Sequence, residues 1–214
     1  MLLNLEDLRE DYNRDQLTIE QTDPDPFVQF QRWFAAAQAS TVKEPNAMTL
    51  ATVGANGRPK ARIVLLKQVD DDGFVFFTNY DSQKGQDLAA NPFASLVFFW
   101  NIMQRQVRVE GRVEKISFAD SEAYFQSRPK GSQIGATVSP QSQVIPDREG
   151  LKTEVARLEA QYADADQLPL PGNWGGYRLV PDNIEFWQGR SSRLHDRIRY
   201  RFVDGAWERE RLAP

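Results

Sequence analysis

Hydrophobic and polar residues alternate along much of the chain with the two-residue period of a half-buried β-strand. The clearest alternation covers residues 106–113, where valines occupy one side and Gln, Arg and Glu side chains the other. Apolar runs at 48–53, 60–69, 74–78 and 93–100 predict further strands. The last run is nearly continuous, which predicts a strand covered on both faces.

Short turn sequences separate these strands. Gly54-Ala-Asn-Gly57 and Asp70-Asp-Asp-Gly73 are typical hairpin connections, and Asp204-Gly205 predicts another between strands at 198–203 and 206–211. Two more strands are predicted at 177–180 and 184–188. Strands joined by tight turns favour antiparallel pairing over a parallel, doubly wound sheet.

Helical periodicity appears between groups of strands. Asp25-Pro26 is a typical helix start, and apolar residues then recur at helical spacing to about residue 40. Further helices are predicted at 82–90, 117–127 and 147–163, and a short one around Leu5, Leu8 and Tyr12. The predicted fold is therefore α+β, an antiparallel, Greek-key type β-barrel decorated with helices. We expect one domain over residues 25–214, preceded by an N-terminal segment, residues 1–24, as a candidate mobile lid.

Composition excludes several functional classes. The chain has 214 residues with 26 basic and 30 acidic side chains, a net charge of −4, which argues against a nucleic-acid binder. It has no cysteine and one histidine, so we expect no metal site. No apolar stretch approaches the roughly 18 residues of a membrane span, and no signal peptide is evident. A soluble cytoplasmic protein with no membrane partner is expected.

The single histidine lies in the sequence Arg193-Leu-His-Asp-Arg197. In extended chain Arg193, His195 and Arg197 share one face, close in sequence to Trp187. Arginine forks and an imidazole beside an aromatic ring suit a planar anionic ligand. The alternative is an exposed charge cluster with a histidine satisfied by a neighbouring carbonyl.

Cationic and amide side chains also cluster elsewhere. Strict alternation puts Arg62 and Lys67 on opposite faces, so they serve one pocket only across a bulge or strand end, and otherwise two ligand groups. Lys84 lies at a predicted helix N-terminus, which favours an anion. The segments 104–108, 124–132 and 139–142 are similar candidates. Because no glycine-rich phosphate loop is present, side chains must hold any phosphate.

Together these segments resemble the pyridoxine 5′-phosphate oxidase family, from about Leu8 to Pro214. The motifs that carry the resemblance are Arg-Ile-Val-Leu-Leu-Lys, Phe-Thr-Asn, Ser-Arg-Pro-x-x-Ser-Gln-Ile-Gly-Ala, Trp-Gly-Gly-Tyr-Arg, Ile-Glu-Phe-Trp-Gln-Gly and Arg-Leu-His-Asp-Arg. The resemblance implies a split β-barrel homodimer with FMN at the interface. It also implies oxidation of pyridoxine or pyridoxamine 5′-phosphate by dioxygen to pyridoxal 5′-phosphate, with release of hydrogen peroxide.

The resemblance assigns roles to individual residues. Arg62 and Lys84 are implied to hold the FMN phosphate, with Thr78 nearby, and Gln141 and Ser142 to come from the partner subunit. The full set implied to bind FMN is Arg62, Ile63, Val64, Leu65, Leu66, Lys67, Phe77, Thr78, Gln83, Lys84, Gln106, Gln141, Ser142, Trp187 and Arg197. The set implied to bind substrate is Arg9, Tyr12, Lys67, Tyr124, Arg128, Ser132, Arg193, Leu194 and His195. Arg193 and His195 are the implied catalytic pair.

The chain departs from the family at one position, where Gln83 replaces the usual arginine before Lys84. Loss of that contact to the FMN phosphate predicts binding weaker by about 1–2 kcal/mol. Three other functions remain as alternatives: a flavin reductase, a vitamin B6-phosphate or flavin carrier without turnover, and a nucleic-acid-binding barrel. The Arg-Leu-His-Asp-Arg sequence with Tyr124, Arg128 and Ser132 argues against the reductase, and the net charge of −4 against the nucleic-acid binder.

Overall fold

The computed structural model describes residues 4–5, 7–8 and 10–214. Within them the chain forms nine strands, five α-helices and three short 3-10 helices. The α-helices are α1 (Pro26–Ala39), α2 (Gln83–Ala90), α3 (Phe118–Ser127), α4 (Lys130–Val138) and α5 (Glu149–Gln161). The strands are β1 (Ala47–Val53), β2 (Pro59–Leu65), β3 (Gln68–Asp70), β4 (Gly73–Asn79), β5 (Phe93–Trp100), β6 (Arg105–Lys115), β7 (Trp174–Gln188), β8 (Asp196–Val203) and β9 (Ala206–Leu212). The 3-10 helices are Ile19–Gln21, Asn101–Met103 and Ser191–Arg193.

The strands form one sheet with the hydrogen-bonded order β2-β1-β5-β6-β7-β4-β3, to which β8 adds at β7 and β9 at β8. The pairs β3–β4, β4–β7, β7–β8 and β8–β9 are antiparallel. The first part of β7 pairs with β4, with Trp174 opposite Asn79, and the last part pairs with β8, with Gln188 opposite Asp196. The predicted α+β class with antiparallel strands is confirmed. No helix among the described residues has both the length and the apolar character needed to cross a membrane.

The chain divides into two compact units. The first unit contains the described residues up to Thr49, together with Ser95–Glu110 and Pro181–Pro214. The second unit contains Leu50–Ala94 and Gly111–Val180. Strands β1, β5, β6 and β7 each have residues in both units.

Aromatic side chains form the core of the first unit. Helix α1 begins as predicted, since the Asp25 carboxylate accepts a hydrogen bond of 2.7 Å from the Phe27 amide. Its buried face carries Phe30, whose ring lies 5.2 Å from that of Phe98 in an edge-to-face contact. These interdigitated rings hold α1 against the strands of this unit.

The second unit has its own core beneath helices α3, α4 and α5. It consists of Phe125, Ile134, Leu158, Leu168 and Trp174, all nearly inaccessible to solvent. Helix α4 was not predicted, because Lys130–Val138 contains few apolar residues and buries only Gln133 and Ile134. Burial of a single polar and a single apolar side chain gives no clear helical period.

Two strand predictions were wrong in their boundaries. The run at 60–69 is broken at Leu66 and Lys67 into β2 and β3. Conversely, the strands predicted at 177–180 and 184–188 are one continuous strand, β7, which passes through Pro181 because different neighbours pair with its two parts.

The prediction that residues 93–100 are covered on both faces is also wrong for the isolated chain. Phe93 and Phe99 are 52% and 54% exposed. Burial along β5 instead favours one face, where Leu96, Phe98 and Trp100 are almost fully buried. A continuous apolar run is expected for two covered faces, and here one of them is open.

The N-terminal helix predicted around Leu5, Leu8 and Tyr12 is absent from the described residues. Leu5 and Leu8 are 56% and 79% exposed, so no buried apolar face supports a helix. Further along, the backbone amides bond to side chains of the first unit: the Leu17 amide donates to the Asp196 carboxylate at 3.0 Å. Those contacts attach the segment to the first unit.

Candidate functional site

The second unit contains a cavity of about 720 Å³ whose wall combines cationic, hydroxyl and aromatic side chains. Strand β2 and the loop after it, the end of β4, the start of α2 and helices α3 and α4 all contribute to it. The lining residues are Arg62, Ile63, Val64, Leu65, Lys67, Phe77, Thr78, Asn79, Lys84, Tyr124, Arg128, Pro129, Ser132, Gly135, Ala136, Ser139, Gln141 and Trp174.

Lys84 is the most buried cation of this cavity. Ser82 caps α2, and in the first turn of that helix the Lys84 ammonium lies 2.7 Å from Gln141 Oε1 and 3.2 Å from both Thr78 Oγ1 and Ser82 Oγ. Burial, and secondarily the nearby charge of Arg62, lowers the pKa of Lys84 to about 8. A buried cation with only neutral partners at a helix N-terminus is suited to an anion.

Arg62 enters the same cavity from β2. Its NH1 group donates to Leu50 O at 3.2 Å and to Thr52 Oγ1 at 2.7 Å, while its NH2 lies 3.8 Å from Asp87. Burial lowers the pKa of Arg62, although the Asp87 charge opposes that effect. Its guanidinium is thus anchored on one side.

Stacked aromatic rings form another wall of the cavity. The Phe77 and Tyr124 rings lie 3.8 Å apart and nearly parallel, and Trp174 stacks beside both. Lys67 Nζ lies 6.0 Å from the Tyr124 ring, and the Arg128 guanidinium 4.8 Å from a ring of Trp174. Arg128 NH1 is buried and has no hydrogen-bond partner in the described part of the chain. Such an atom is costly unless a ligand pairs with it.

The first unit contains a second cluster of predicted residues, centred on Trp187. The His195 ring lies 4.6 Å from that of Trp187, and the Tyr12 ring meets Trp187 edge-on at 5.9 Å. His195 Nδ1 accepts a hydrogen bond of 3.1 Å from the Arg190 amide. Burial, and then Arg193, lowers the pKa of His195. Both observations favour a neutral imidazole with its proton on Nε2.

The prediction that Arg193, His195 and Arg197 share one face of a strand is wrong. Ser191–Arg193 forms a 3-10 turn in which Ser192 and Arg193 have φ angles of 56° and 60°, and β8 begins only at Asp196. The left-handed backbone interrupts the alternation on which the prediction rested.

Arg197 instead forms a fork with a buried carboxylate. Its Nε and NH2 groups lie 2.8 and 2.9 Å from the two oxygens of Glu185, which is 5% exposed. Those contacts raise the pKa of Arg197, so it is a fixed cation. The predicted neighbour Trp187 lies directly opposite it, on the paired strand β7.

The structure brings together some predicted residues and leaves others apart. The cavity of the second unit is lined by Arg62, Ile63, Val64, Leu65, Lys67, Phe77, Thr78, Lys84, Tyr124, Arg128, Ser132 and Gln141. Leu66 is buried away from that lining, Gln83 contacts Asp87, and Ser142 is exposed with a φ of 70°. Gln106 is on β6, Leu194 is 68% exposed, and Arg9 lies outside the described residues.

Gln141 differs from the implied arrangement. The resemblance implies that it comes from a partner subunit, whereas here Gln141 of the same chain contacts Lys84 and Thr78. The short connection after α4 brings it there, since the Gln141 amide bonds to Ser139 O at 2.9 Å.

Several lining or supporting residues had not been predicted. Trp174, Gly135 and Ala136 line the cavity and belong to the motifs that carry the resemblance, but the resemblance assigns them no role. Asp87 and Glu185, the carboxylates that anchor Arg62 and Arg197, carry no local sequence signal because their partners are remote in sequence.

Two family models match the chain. One, described as pyridoxamine 5′-phosphate oxidase, matches residues 34–162, and the other, described as the pyridoxine 5′-phosphate oxidase C-terminal dimerisation region, matches residues 174–214. A pyridoxine/pyridoxamine 5′-phosphate oxidase of Pseudomonas putida is 57% identical over the full length of both chains. The protein of the same name from Synechocystis is 53% identical over 99% of each.

Solved structures show the same fold. PhzG from Burkholderia lata, in complex with tetrahydrophenazine-1-carboxylic acid, is 31% identical with a TM-score of 0.87, covering 94% of this chain and 98% of that one. A pyridoxamine 5′-phosphate oxidase-related, FMN-binding protein from Nostoc punctiforme is 19% identical with a TM-score of 0.69, covering 88% and 97%. This second likeness bears on the fold alone, which is the split-barrel type expected from the sequence.

Proposed function

The chain belongs to the pyridoxine/pyridoxamine 5′-phosphate oxidase family, and from this membership we propose its reaction and its site. It is an oxidoreductase with FMN as cofactor, which converts pyridoxine 5′-phosphate and pyridoxamine 5′-phosphate to pyridoxal 5′-phosphate. We propose further that dioxygen is the electron acceptor, with hydrogen peroxide as a product and ammonia released from the amine substrate.

One observation supports this proposal most directly: a single cavity is lined by four cationic side chains and a stacked aromatic wall. FMN and the substrate each carry one phosphate and one flat ring. We assign Arg62 and Lys84 to one phosphate and Lys67 and Arg128 to the other. The buried Arg128 NH1 without a partner suits a phosphate oxygen. The residues present therefore fit these ligands.

For FMN, we assign the phosphate to Arg62, Lys84 and Thr78. The flat ring and its side chain are assigned to Trp187, Arg197, Gln106, Gln141 and Ser142, and to the β2 segment from Ile63 to Lys67 with Phe77. When bound, FMN supplies the acceptor for a hydride from the substrate carbon and passes the electrons onward. Arg197 would present a charge held rigid by Glu185.

For the substrate, we assign the phosphate to Lys67, Tyr124, Arg128 and Ser132. A clamped phosphate fixes the distance of the reacting carbon from the flavin, so this part of the protein works mainly by positioning. Arg128 lies at the end of α3, where its backbone carbonyl accepts a hydrogen bond of 2.8 Å from the side-chain amide of Gln133.

Arg193 and His195 are proposed to orient the substrate ring, with Leu194 and Tyr12 beside it. Because His195 Nδ1 already accepts a hydrogen bond, Nε2–H is the imidazole group free to donate to a substrate oxygen or nitrogen. Tyr12 packs on the Trp187 ring, which supports a covering role for the segment before residue 25. Arg9 is assigned to the same segment by the resemblance alone.

We propose that the molecule is a homodimer with FMN at its interface. The matched C-terminal dimerisation region, residues 174–214, supports the dimer. We also propose that residues 25–214 function as one FMN-binding domain, since four strands have residues in both compact units. No nucleic-acid or membrane partner is proposed.

The reaction is tested by an anaerobic visible spectrum of the FMN-loaded protein before and after addition of pyridoxine 5′-phosphate. We expect the flavin band to bleach and to return on admission of air, with pyridoxal 5′-phosphate formed. Unphosphorylated pyridoxine is the matched control and should bleach the band far more slowly. A flavin that stays oxidised with the phosphorylated substrate would contradict the proposed oxidase and indicate a carrier or another electron donor.

A further inference from the structure

Asp87, on α2 in the second unit, is a buried carboxylate next to a proposed anion site. Its side chain is 3% exposed. Oδ1 lies 2.7 Å from Lys60 Nζ and 3.1 Å from Gln83 Nε2, and Oδ2 accepts a hydrogen bond of 2.9 Å from Thr52 Oγ1. Burial raises the pKa of Asp87, but hydrogen bonds from Lys60, Thr52 and Gln83 outweigh that effect and lower it overall.

A negative charge at this place opposes phosphate binding by simple Coulomb repulsion, so its presence calls for a compensating role. The contacts of Thr52 indicate one. Thr52 is 1% exposed. Its hydroxyl has a single proton, which it donates in the hydrogen bond to Asp87 Oδ2. Its oxygen lone pair is thereby turned toward Arg62 NH1, 2.7 Å away.

This arrangement constrains the Arg62 guanidinium. One nitrogen, NH1, is used in the contacts with Thr52 and Leu50 O, and NH2 lies 3.8 Å from Asp87. Because a guanidinium is planar, fixing one nitrogen and the direction of a second fixes the whole fork. The Nε and NH2 groups then remain as donors for a ligand in the cavity that Arg62 lines.

We propose that Thr52 and Asp87 are positioning residues for the FMN phosphate: Asp87 orients the Thr52 hydroxyl, and that hydroxyl holds Arg62 in place to bind the phosphate. This inference rests on the proposed function, which assigns Arg62 to FMN. It adds two residues that do not line the cavity. We call the chain of contacts from Asp87 through Thr52 to Arg62 the relay. Lys60 and Gln83 support it, because both donate to the other carboxylate oxygen of Asp87.

The test compares Thr52→Val, which keeps the shape and removes the hydroxyl, with Thr52→Ser, which keeps the hydroxyl. Dissociation constants of FMN and of riboflavin are measured by flavin fluorescence, because riboflavin lacks the phosphate. We expect Thr52→Val to weaken FMN about tenfold and riboflavin less than twofold, and Thr52→Ser to stay within about twofold of the parent for both. Thr153→Val, an exposed threonine on α5, is the control and should change neither.

Arg62→Ala separates this inference from the proposed site. If Arg62→Ala weakens the binding of FMN more than that of riboflavin, but Thr52→Val leaves FMN binding unchanged, the relay is wrong and the proposed phosphate site stands. Equal weakening of FMN and riboflavin by Thr52→Val would show a general structural role and overturn the relay. If Arg62→Ala does not weaken FMN, the proposed phosphate site itself is wrong, and the relay with it.

Asp87→Leu, which removes both acceptor oxygens at similar size, gives a second measurement should Thr52→Val not fold. Charge alone predicts that removal of the carboxylate tightens FMN binding, whereas the positioning role predicts weaker binding. A larger dissociation constant for FMN with riboflavin unchanged supports the proposal, and a smaller or unchanged one overturns it.

Discussion

At the scale of single residues, the proposed contact of Lys84 with the FMN phosphate predicts that FMN binding depends on pH. Its pKa of about 8 means that the free protein carries this charge below pH 8 and loses it above. Above pH 8, binding a phosphate dianion requires uptake of a proton, so the FMN dissociation constant should rise toward tenfold per pH unit. Below about pH 6 the phosphate itself takes up a proton and binding weakens again.

Fluorescence titration of FMN from pH 6 to 9 tests the Lys84 prediction. Lys84→Met should bind FMN more weakly and show a flat profile between pH 7 and 9. Riboflavin serves as the control ligand, with no dependence over the same range. A parent profile for FMN that is flat through pH 9 would contradict the assignment of Lys84 to the phosphate.

Gln83 stands where the resemblance implies an arginine, and Gln83→Arg is expected to tighten FMN binding. A guanidinium in contact with the phosphate contributes about 1–2 kcal/mol, roughly five- to thirtyfold in the dissociation constant. The structure offers a competing partner, since Gln83 Nε2 lies 3.1 Å from Asp87. An unchanged dissociation constant for FMN would contradict the prediction, and pairing of the new arginine with Asp87 would be the physical reason.

Substitution of Arg193 and substitution of Lys67 or Arg128, the cations assigned to the substrate phosphate, should affect different steady-state constants. Arg193→Ala is expected to lower kcat at least tenfold with little change in FMN affinity, because its proposed contact is with the reacting ring. Lys67→Ala and Arg128→Ala should mainly raise KM for pyridoxine 5′-phosphate. Equal losses of turnover and FMN affinity in Arg193→Ala would contradict its assignment to the substrate.

At the scale of elements, patterns within one strand or helix could be predicted and those set by remote contacts could not. The alternation on β6 and the Asp25 cap of α1 are local, and both are confirmed. The sequence left open whether Arg62 and Lys67 serve one pocket across a strand end. They do line one cavity, because β2 ends at Leu65, between them.

The failures share a physical cause. The 3-10 turn at Ser191–Arg193 uses left-handed backbone at residues other than glycine, which no composition rule signals. Helix α4 is stabilised by a polar residue, Gln133, rather than by an apolar stripe. The anchors of Arg62 and Arg197 come from remote segments, so only the folded chain brings them together.

Helix α4 provides a test at this scale, because Gln133 connects it to two other segments. Its amide donates to Gln126 O at 3.2 Å and Arg128 O at 2.8 Å, and its Oε1 accepts from the Leu168 amide at 2.8 Å. Gln133→Leu leaves these buried groups unpaired and should lower the free energy of unfolding by about 2–4 kcal/mol. Since Arg128 is attached to the same turn, KM for substrate should rise.

Urea unfolding and steady-state kinetics measure the two effects of Gln133→Leu. Gln161→Leu, an exposed glutamine at the end of α5, is the matched control and should change stability by less than about 0.5 kcal/mol. Unfolding of Gln133→Leu at the parent urea midpoint would contradict the role given to this amide.

At the scale of the whole molecule, the isolated chain leaves large apolar side chains in solvent. Ile63 on β2 and Phe93 and Phe99 on β5 are 66%, 52% and 54% exposed. Ile63 belongs to the β2 segment that is assigned to FMN. Because FMN is proposed to lie at the dimer interface, dimerisation and FMN binding are expected to share surface.

Two events that share a surface must be linked, and the linkage is reciprocal. If FMN contacts both protomers, it tightens the dimer by the same factor by which dimerisation tightens FMN. Sedimentation velocity over a dilution series should show the dimer persisting to at least tenfold lower protein concentration with saturating FMN than without it. Arg62→Ala should reduce that shift. An identical dimer dissociation constant with and without FMN would mean that each protomer binds FMN by itself, and the exposed apolar residues would then serve association alone.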